Sequence, residues 1–475
     1  RVQISVGVAV TACAQERRTP VRAMWGVHGR PMMTPMPHPA QPLPCSPPES
    51  RSAARTPFLC TPGPPGAQGG QVMSRAKQSP LSRRARLLRA LGWTTVAGVV
   101  AVAVLWWAVH RFEWAGPLVA NSLRAVFGKD AVAKLEDFVY GAQDRFNLWW
   151  KRGEKPKAYW AVPPASPSSA VAPQDDSGQP PFMLSDCGPM YPSSAAPGDG
   201  QWVPLEVAGR PGAATSMKKT LIHPDAHRSW SELFVVAIDL RRVSLTFVPG
   251  YREPKSNTTP PAELPRPAKI PEGDWPKLLA AFNGGFMTEH GEYGAMLDGV
   301  TLVNPKSDSC TVARYRDGHL AIGTWKELAE GRADMVWFRQ TPRCMVEGGK
   351  LHPGLSGAGF RHWGATLEGE TVIRRSAIGL DESGKVLFVG ISNHTSAAVL
   401  AGGMRHAGAA FVAQLDVNWS YPKFLLYRQS PEDGSLQAEA LASGFEFSPE
   451  EYLRRRSLRD FFYLTELQPD NHSAK

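Results

Sequence analysis

The chain has 475 residues with 43 prolines and 44 glycines, a content that excludes an evenly globular protein and requires these residues to be concentrated in particular segments. The formal net charge of +10 is unevenly distributed, because the first 160 residues carry +14 and the remaining 315 carry −4. The larger C-terminal part is mildly acidic, so we expect no nucleic-acid partner.

Two segments precede the predicted folded part. Residues 1–72 contain no sustained hydrophobic period and are rich in proline, which predicts a disordered or spurious upstream leader before Met73. Residues 73–112 combine a basic flank with 19 uncharged residues, Leu91 to Val109, which span about 28 Å as a helix. These features predict a transmembrane anchor with a membrane-spanning helix at 91–109.

The charge around this anchor predicts its orientation. Basic residues are concentrated before the apolar stretch, so the positive-inside rule places the N-terminus in the cytoplasm. We therefore expect a single-pass protein of the inner (plasma) membrane whose C-terminal domain is periplasmic or extracellular. A cleaved signal peptide is the alternative, but Trp106 and Trp107 stand where a small-residue cleavage site is needed.

Segments of different composition follow the anchor. Residues 113–160 alternate apolar and charged residues at helical spacing, which predicts amphipathic helices lying near the membrane or packing on the domain. Residues 161–204 are rich in proline and serine and predict a linker. The folded domain is predicted at 205–467, and a disordered tail at 468–475.

Strand signals dominate the predicted domain. Short apolar runs rich in valine and aromatic residues include ELFVVAIDL, VSLTFVPG, MVWFRQ and KVLFVGIS. The clearest helix is predicted from Thr395 to Ala407, with Thr395 as N-cap and Gly408 after its end, and it leads into the run AAFVAQLDV. Many strands in meander order predict an α+β fold with a mixed, mainly antiparallel sheet and flanking helices, preceded by a single N-terminal transmembrane helix.

The cysteines and histidines indicate which disulfides and metal sites the chain can form. Cys187, Cys310 and Cys344 lie in the predicted exported part, where disulfides form. We expect Cys310 to pair with Cys344 and Cys187 to be free or paired elsewhere, with three buried thiols as the alternative. No Cys-x-x-Cys motif occurs, and the His-x-x-x-His pair at 223–227 carries a proline that disfavours a helix. We therefore predict no metal and no cofactor.

Four short landmarks occur in order along the domain: Phe282-Asn-Gly-Gly-Phe286, Arg375-Ser-Ala-Ile-Gly379, Asp381-x-x-Gly-Lys385 and, after the predicted helix, Gln414-Leu-Asp416. Together they resemble the phosphodiester glycosidase domain family, over the region from Leu233 to Phe447. The resemblance implies a hydrolase that cleaves glycosyl phosphodiester bonds. One feature departs from the family, whose members usually carry a glycine-rich turn after the leucine-aspartate pair. This chain continues Val-Asn-Trp-Ser-Tyr-Pro.

Carboxylates are the first candidates for catalysis, because glycosidic cleavage commonly uses two carboxyl groups beside the anomeric carbon. Asp416 follows the family motif at the end of a predicted strand and is the first choice, although such residues often only cap a turn. Glu289 is a candidate for the second carboxylate, as is Glu292, and His290 for proton transfer. Solvated loop residues are the alternative for all three.

Amide, backbone and guanidinium groups are the candidates for substrate binding. Asn283 offers an amide to a sugar hydroxyl, and Gly284 and Gly285 offer N–H groups to a phosphate. Arg375 offers two parallel donors to two phosphate oxygens. The remaining substrate-binding candidates are His394, Asn418 and Ser420.

The sequence thus predicts a membrane-anchored extracytoplasmic hydrolase of sugar-1-phosphate diesters in envelope or exopolysaccharide material, with a glycan or sugar phosphate as its substrate. The missing glycine-rich turn leaves a second interpretation open, a catalytically inactive carbohydrate- or polymer-binding module of a polysaccharide assembly or export system. In that case Trp363, Trp419 and Tyr421 are expected to stack on sugar rings. A scaffold acting through residues 113–152 is a third possibility.

Overall fold

A computed structural model describes residues 83–111, 128, 140–162, 180–356, 363, 371–430 and 432–467. The predicted leader at 1–72 and the predicted tail at 468–475 lie outside the described residues. The chain divides into two compact units, with the boundary after Val99.

The first helix, α1 (Arg83–Arg111), contains the apolar stretch of the predicted anchor. Alanine, leucine and valine follow one another there without proline, which permits an unbroken helix. Among the described residues, no helix combines the length and the apolarity needed to cross a membrane. Several side chains of the span predicted at 91–109 lie outside the described set, so the anchor stays a prediction.

Few helices accompany the strands. The described helical residues 140–150 form α2, and the others are α3 (Pro211–Ser216), α4 (Trp325–Leu328) and α5 (Ala397–His406). Short 3-10 turns lie at Pro192–Ser194, Glu272–Lys277, Thr288–His290, Ala329–Asp334 and Pro353–Leu355. The Ser396 side chain accepts a hydrogen bond from the Val399 N–H and is the N-cap of α5. The predicted cap, Thr395, is instead the last residue of a strand.

In chain order the strands are β1 (Val203–Pro204), β2 (Met217–Ile222), β3 (Glu232–Asp239), β4 (Val243–Val248), β5 (Leu278–Asn283), β6 (Ala295–Leu297), β7 (Val300–Val303), β8 (Cys310–Tyr315), β9 (Leu320–Thr324), β10 (Met335–Thr341), β11 (Val346–Glu347), β12 (Lys350–Leu351), β13 (Ile373–Leu380), β14 (Val386–Thr395), β15 (Phe411–Val417), β16 (Phe424–Gln429), β17 (Leu436–Ala440) and β18 (Phe461–Glu466).

Three sheets result, and every described strand pair in them is antiparallel. The first sheet has the order β1-β2-β3-β14-β13-β15-β11-β12, the second β7-β6-β10-β8-β9 and the third β17-β16-β5-β18-β4. The prediction of a mainly antiparallel α+β fold with few helices is confirmed.

The first sheet is buried on both faces. Along β3, Leu233 and Val235 belong to a cluster that includes Leu400 of α5, so this face packs on the helix. Phe234 points the other way and shares a buried cluster with Phe282 of β5 and residues of β8. Central strands covered on both sides read as continuous apolar runs, which explains the sequence ELFVVAID.

Cys310, the first residue of β8, forms a disulfide with Cys344, as predicted. Cys187 is a free thiol among the described residues, and burial raises the pKa of this thiol to about 11. The bridge joins β8 to the turn after β10, the neighbouring strand in the second sheet.

The packed region extends to the N-terminal side of the boundary predicted at 205. Phe182 and Trp202 are buried in the cluster under α5. Farther upstream, the Tyr159 ring meets the Phe234 ring edge-on, with 4.8 Å between centroids. Asp144 of α2 binds Arg228 through two hydrogen bonds of 2.9 and 2.6 Å. Of the two arrangements considered for 113–160, the described residues 140–160 show packing on the domain.

Candidate functional site

Asn283 and Asp416, two of the predicted site residues, lie together where the third sheet meets the first. β5 ends at Asn283, whose Nδ2 donates to Ser376 Oγ at 2.8 Å. The Asp416 backbone N–H donates to the same hydroxyl at 3.2 Å. Asn283 Nδ2 also donates to the Gly284 carbonyl, and Asn283 Oδ1 accepts from the Lys423 N–H. Its amide therefore joins strands of two sheets.

The Gly-Gly turn after β5 is held by Asp460, which directly precedes β18. The Gly284 N–H donates to the Asp460 carbonyl at 2.9 Å, and the Gly285 N–H to Asp460 Oδ2 at 3.2 Å. A Cβ at Gly284 would lie 2.5 Å from the Asp460 carbonyl oxygen, so glycine is required for this approach. Both N–H groups, predicted to bind a phosphate, are used within the protein.

Asp416 is the first-choice carboxylate, and its partner is an arginine. Asp416 Oδ2 lies 2.8 Å from Arg459 Nη1 and accepts a second hydrogen bond from Asn418 Nδ2 at 2.6 Å. Arg459 Nη2 donates to the Gly285 carbonyl at 3.0 Å. The ion pair is almost completely buried from solvent, because only 3% of the Asp416 side chain and 5% of the Arg459 side chain are exposed.

The surroundings keep Arg459 charged. Burial by itself lowers the pKa of the Arg459 guanidinium, but Asp416, together with Tyr421 and Asp460, outweighs burial and raises the pKa above its ordinary value. The guanidinium also lies 3.9 Å from the centroid of the Tyr421 ring, a cation–π arrangement. Burial raises the pKa of Tyr421 well above its usual range, so its hydroxyl stays a donor, to the Asp460 carbonyl at 2.6 Å.

A cavity of about 370 Å³ opens beside this ion pair, and Arg459 and Ser420 form part of its wall. Four basic and two acidic side chains line it, and since Arg459 is paired with Asp416 and Lys423 with Glu451, a small excess of positive charge remains. Aromatic side chains provide apolar surface beside these charges. The basic lining residues are Lys423, Arg455, Arg456 and Arg459, the acidic ones Glu446 and Glu451, and the aromatic ones Tyr251, Tyr421, Phe447 and Tyr452.

Two buried polar atoms of the cavity lining have no hydrogen-bond partner among the described residues. They are Arg459 Nε and the Tyr452 hydroxyl. Tyr452 stacks on Phe461 at 4.0 Å and has a backbone φ of +60°, which is costly for a bulky residue. Buried donors are normally satisfied, so these two atoms are exceptions enclosed behind the cavity wall.

Arg375 is not among the residues that line this cavity, and its role as a phosphate clamp stays a prediction. Its guanidinium is buried and donates to the Thr395, Trp363 and Thr371 carbonyls and to Gln414 Oε1, at 3.0 to 3.1 Å. Alternate residues of a strand face opposite sides of the sheet. Ser376 faces Asn283, so its neighbour Arg375 points away from the candidate site.

Glu289 and His290 lie on the exposed turn Thr288–His290, where 45% and 33% of their side chains are accessible. Their nearest charged atoms are 3.7 Å apart. Neither residue belongs to the described lining of the cavity beside Arg459. The structure therefore does not bring them together with Asp416 around that cavity.

His394 forms a separate contact at the end of β14. Its φ is +54°, and its ring lies 5.1 Å from that of Trp419. Burial, assisted by the positive charges of Lys151 and Arg374, lowers the pKa of His394 to about 4. This imidazole is therefore neutral near pH 7.

Sequence reasoning missed Arg459 and Asp460, which hold Asp416 and the Gly-Gly turn. The only local signal is an Arg-Asp pair directly before the apolar run FFYL. Such a pair is also an ordinary strand end, and nothing in its spacing locates it near Asp416.

The described residues offer no evident metal site. Within the described ranges, no group of three His, Cys, Asp or Glu side chains is arranged to hold a metal ion. His223, from the His-x-x-x-His pair, is buried and its Nδ1 lies 2.9 Å from both carboxylate oxygens of Asp199.

Comparison with known proteins shows only distant likenesses. No protein-family model and no curated protein matches the chain. Among solved structures, the catalytic domain of zebrafish N-acetylglucosamine-1-phosphodiester alpha-N-acetylglucosaminidase, auto-inhibited by its pro-peptide, is similar at 15% identity and a TM-score of 0.36, covering 55% of this chain and 87% of that one. A hypothetical protein from Synechocystis is similar at 10% identity and a TM-score of 0.29, covering 56% and 65%. Both likenesses are weak and concern the fold alone.

Proposed function

We propose that the chain hydrolyses a glycosyl phosphodiester in the cavity beside Arg459. The supporting observation is the buried Asp416–Arg459 ion pair at the wall of a cavity whose lining has an excess of positive charge. A carboxylate next to a cationic, aromatic pocket matches a substrate that combines a phosphate with a sugar ring.

Arg459 is proposed to bind the phosphate. A phosphate in the cavity competes with Asp416 for the outer nitrogens of the Arg459 guanidinium. The carboxylate released in this way stabilises the positive charge that develops at the anomeric carbon. The bond between that carbon and the phosphate oxygen breaks, water supplies a hydroxyl to the sugar, and the phosphate leaves as the monoester with the remaining proton accepted by solvent.

We further propose that this reaction takes place outside the cytoplasm, on envelope or exopolysaccharide material close to the inner membrane. The Cys310–Cys344 disulfide supports an oxidising compartment, because such bonds are rare in the cytosol. The predicted anchor at 91–109 would hold the domain there.

A binding module without catalysis is the second candidate. It is favoured by the state of Asp416, whose carboxylate is paired, hydrogen-bonded to Asn418 and almost inaccessible. In that case the same cavity binds an anionic glycan and Asp416 only holds Arg459 in place.

Hydrolysis of UDP-N-acetylglucosamine by the full chain distinguishes the two candidates. Release of N-acetylglucosamine by the wild type, lost in Asp416→Asn with an unchanged circular dichroism spectrum, supports the hydrolase. Binding without release, in a calorimetric titration, supports the module. A p-nitrophenyl-linked phosphodiester of the sugar serves as a second substrate. If the chain neither binds nor hydrolyses either compound, both candidates are contradicted.

A further inference from the structure

Arg374, next to Arg375 in β13, holds two loops that form the wall of the cavity. Its Nη1 donates to the Trp419 carbonyl at 2.6 Å, and its Nη2 donates to the Gly444 carbonyl at 2.9 Å. The guanidinium also lies 4.4 Å from the centroid of the Phe445 ring. Only 7% of the Arg374 residue is exposed, so these contacts are buried.

The two loops continue directly into the cavity lining. Trp419 belongs to the loop 418–421, in which Asn418 binds Asp416 and the last two residues, Ser420 and Tyr421, line the cavity. Gly444 begins the loop 444–448, of which 446–448 line the cavity. One guanidinium therefore fixes the distance between two parts of the wall, which a lysine ammonium cannot do with the same geometry.

Arg374 is in turn oriented by the N-terminal segment, defined here as residues 140–162. Arg374 Nε donates to Asn393 Oδ1 at 2.9 Å, and Asn393 Nδ2 donates to Glu232 Oε2 at 3.2 Å. The other carboxylate oxygen of Glu232 accepts from the Tyr159 hydroxyl at 2.7 Å. An unbroken chain of hydrogen bonds thus runs from the N-terminal segment to the cavity wall.

The N-terminal segment has a second attachment that does not depend on this chain. Arg228 Nε and Nη2 donate to the two carboxylate oxygens of Asp144, and the Ser229 hydroxyl donates to the Glu154 carbonyl. Removing the Tyr159 hydroxyl therefore breaks the connection to Arg374 while the segment remains attached.

We propose that Arg374 is a positioning residue that sets the shape of the cavity, and that docking of the N-terminal segment through Tyr159 controls it. Tyr159 and Arg374 do not touch the proposed reacting atoms. They act by holding the loops 418–421 and 444–448 in the positions that shape the cavity for its ligand. The assignment of this cavity as the substrate site rests on the function proposed above, whereas the coupling between Tyr159 and the two loops does not.

Hydrogen exchange of the full chain, followed by mass spectrometry, tests the coupling. The variants are Arg374→Lys, which keeps the charge, and Tyr159→Phe, which keeps the ring packed on Phe234. Exchange in the loops 418–421 and 444–448 is expected to accelerate about tenfold in both variants, the factor for loss of one such hydrogen bond. Exchange in β8 and β10 is expected to stay at the wild-type rate.

Tyr463→Phe is the matched control, because the Tyr463 hydroxyl also donates to a carboxylate, Asp274 Oδ2 at 2.6 Å, and Tyr463 does not belong to the cavity lining. It is expected to leave both loops unchanged. Wild-type exchange in the loops of Tyr159→Phe overturns the proposal. So does a uniform increase across the domain, which would mean that Tyr159 only stabilises the fold.

The kinetic test is separate. If the wild type hydrolyses UDP-N-acetylglucosamine, Tyr159→Phe and Arg374→Lys are expected to raise KM severalfold and leave kcat unchanged, since positioning affects binding of the ligand. A fall in kcat at constant KM contradicts a positioning role. If the wild type has no turnover, the proposed function fails, and the exchange rates still decide whether Tyr159 controls the loops.

Discussion

Arg459 Nη1 lies 2.8 Å from Asp416 Oδ2, and this pair joins two sheets at the wall of the cavity. Asp416 belongs to β15 of the first sheet, and Arg459 stands two residues before β18 of the third. Breaking a buried ion pair leaves an uncompensated charge out of water, so each residue depends strongly on the other.

Removal of one partner is expected to destabilise the domain. Arg459→Met should lower the free energy of unfolding by about 3–5 kcal/mol, because Asp416 remains buried without its partner. The double variant Asp416→Asn, Arg459→Met should lose less than the sum of the two single losses. Urea denaturation measures these differences.

An exposed pair serves as control for this cycle. Arg428 Nε lies 2.7 Å from Glu439 Oε2, but 38% and 54% of the two side chains are exposed. Arg428→Met should therefore change the free energy of unfolding by less than about 1 kcal/mol. Equal losses for Arg428→Met and Arg459→Met would contradict the importance of burial.

Gly284→Ala is expected to be destabilising because its Cβ would lie 2.5 Å from the Asp460 carbonyl oxygen. The Gly-Gly turn would have to move, at a cost of about 1–3 kcal/mol. Gly273→Ala is the control, since no atom lies within 4 Å of its Cβ position. Thermal unfolding should show a lower Tm for Gly284→Ala than for Gly273→Ala, and similar values would argue against a close approach of Asp460.

Arg375→Lys tests whether Arg375 stabilises the fold or binds a phosphate. The substitution keeps a positive charge but cannot satisfy the carbonyls of Thr395, Trp363 and Thr371 together, which should lower the free energy of unfolding by about 1–3 kcal/mol. KM for UDP-N-acetylglucosamine should equal that of the wild type, since Arg375 does not line the cavity. A raised KM in a variant of unchanged stability would support the phosphate-clamp interpretation.

His394 is expected to make stability depend on pH. Burial lowers the pKa of His394 from 6.5 to about 4 in the folded protein, so between these values the unfolded chain binds the additional proton. The contribution of His394 to stability is therefore complete above 6.5 and is lost as the pH falls towards 4, with a total of up to about 3 kcal/mol.

His394→Asn removes this titration and suits the positive φ, which asparagine adopts readily. The free energy of unfolding, measured in urea at about pH 7 and about pH 5, should fall less in His394→Asn than in the wild type. An equal fall in both proteins would show that other groups cause the pH dependence.

Periodicity and composition determined the local structure of this protein. Runs of valine and aromatic residues indicate the strands that form the mainly antiparallel fold, and the positions of Cys310 and Cys344 within the folded region predict their disulfide. The family landmarks also identified Asn283 and Asp416, which the structure joins through Ser376. The strands and the motif residues can be recognised within short segments of the sequence. The disulfide can be predicted because only cysteine forms such a bond.

The tertiary structure alone decided which residues surround Asp416. Alternation along β13 required Arg375 and Ser376 to face opposite ways, but only the packing of one sheet on another determined that Ser376 faces Asn283. It likewise brought Arg459 and Asp460, from a distant strand end, to the carboxylate and the Gly-Gly turn. Contacts between sheets depend on how their faces pack together, which the spacing of residues within a single strand does not specify.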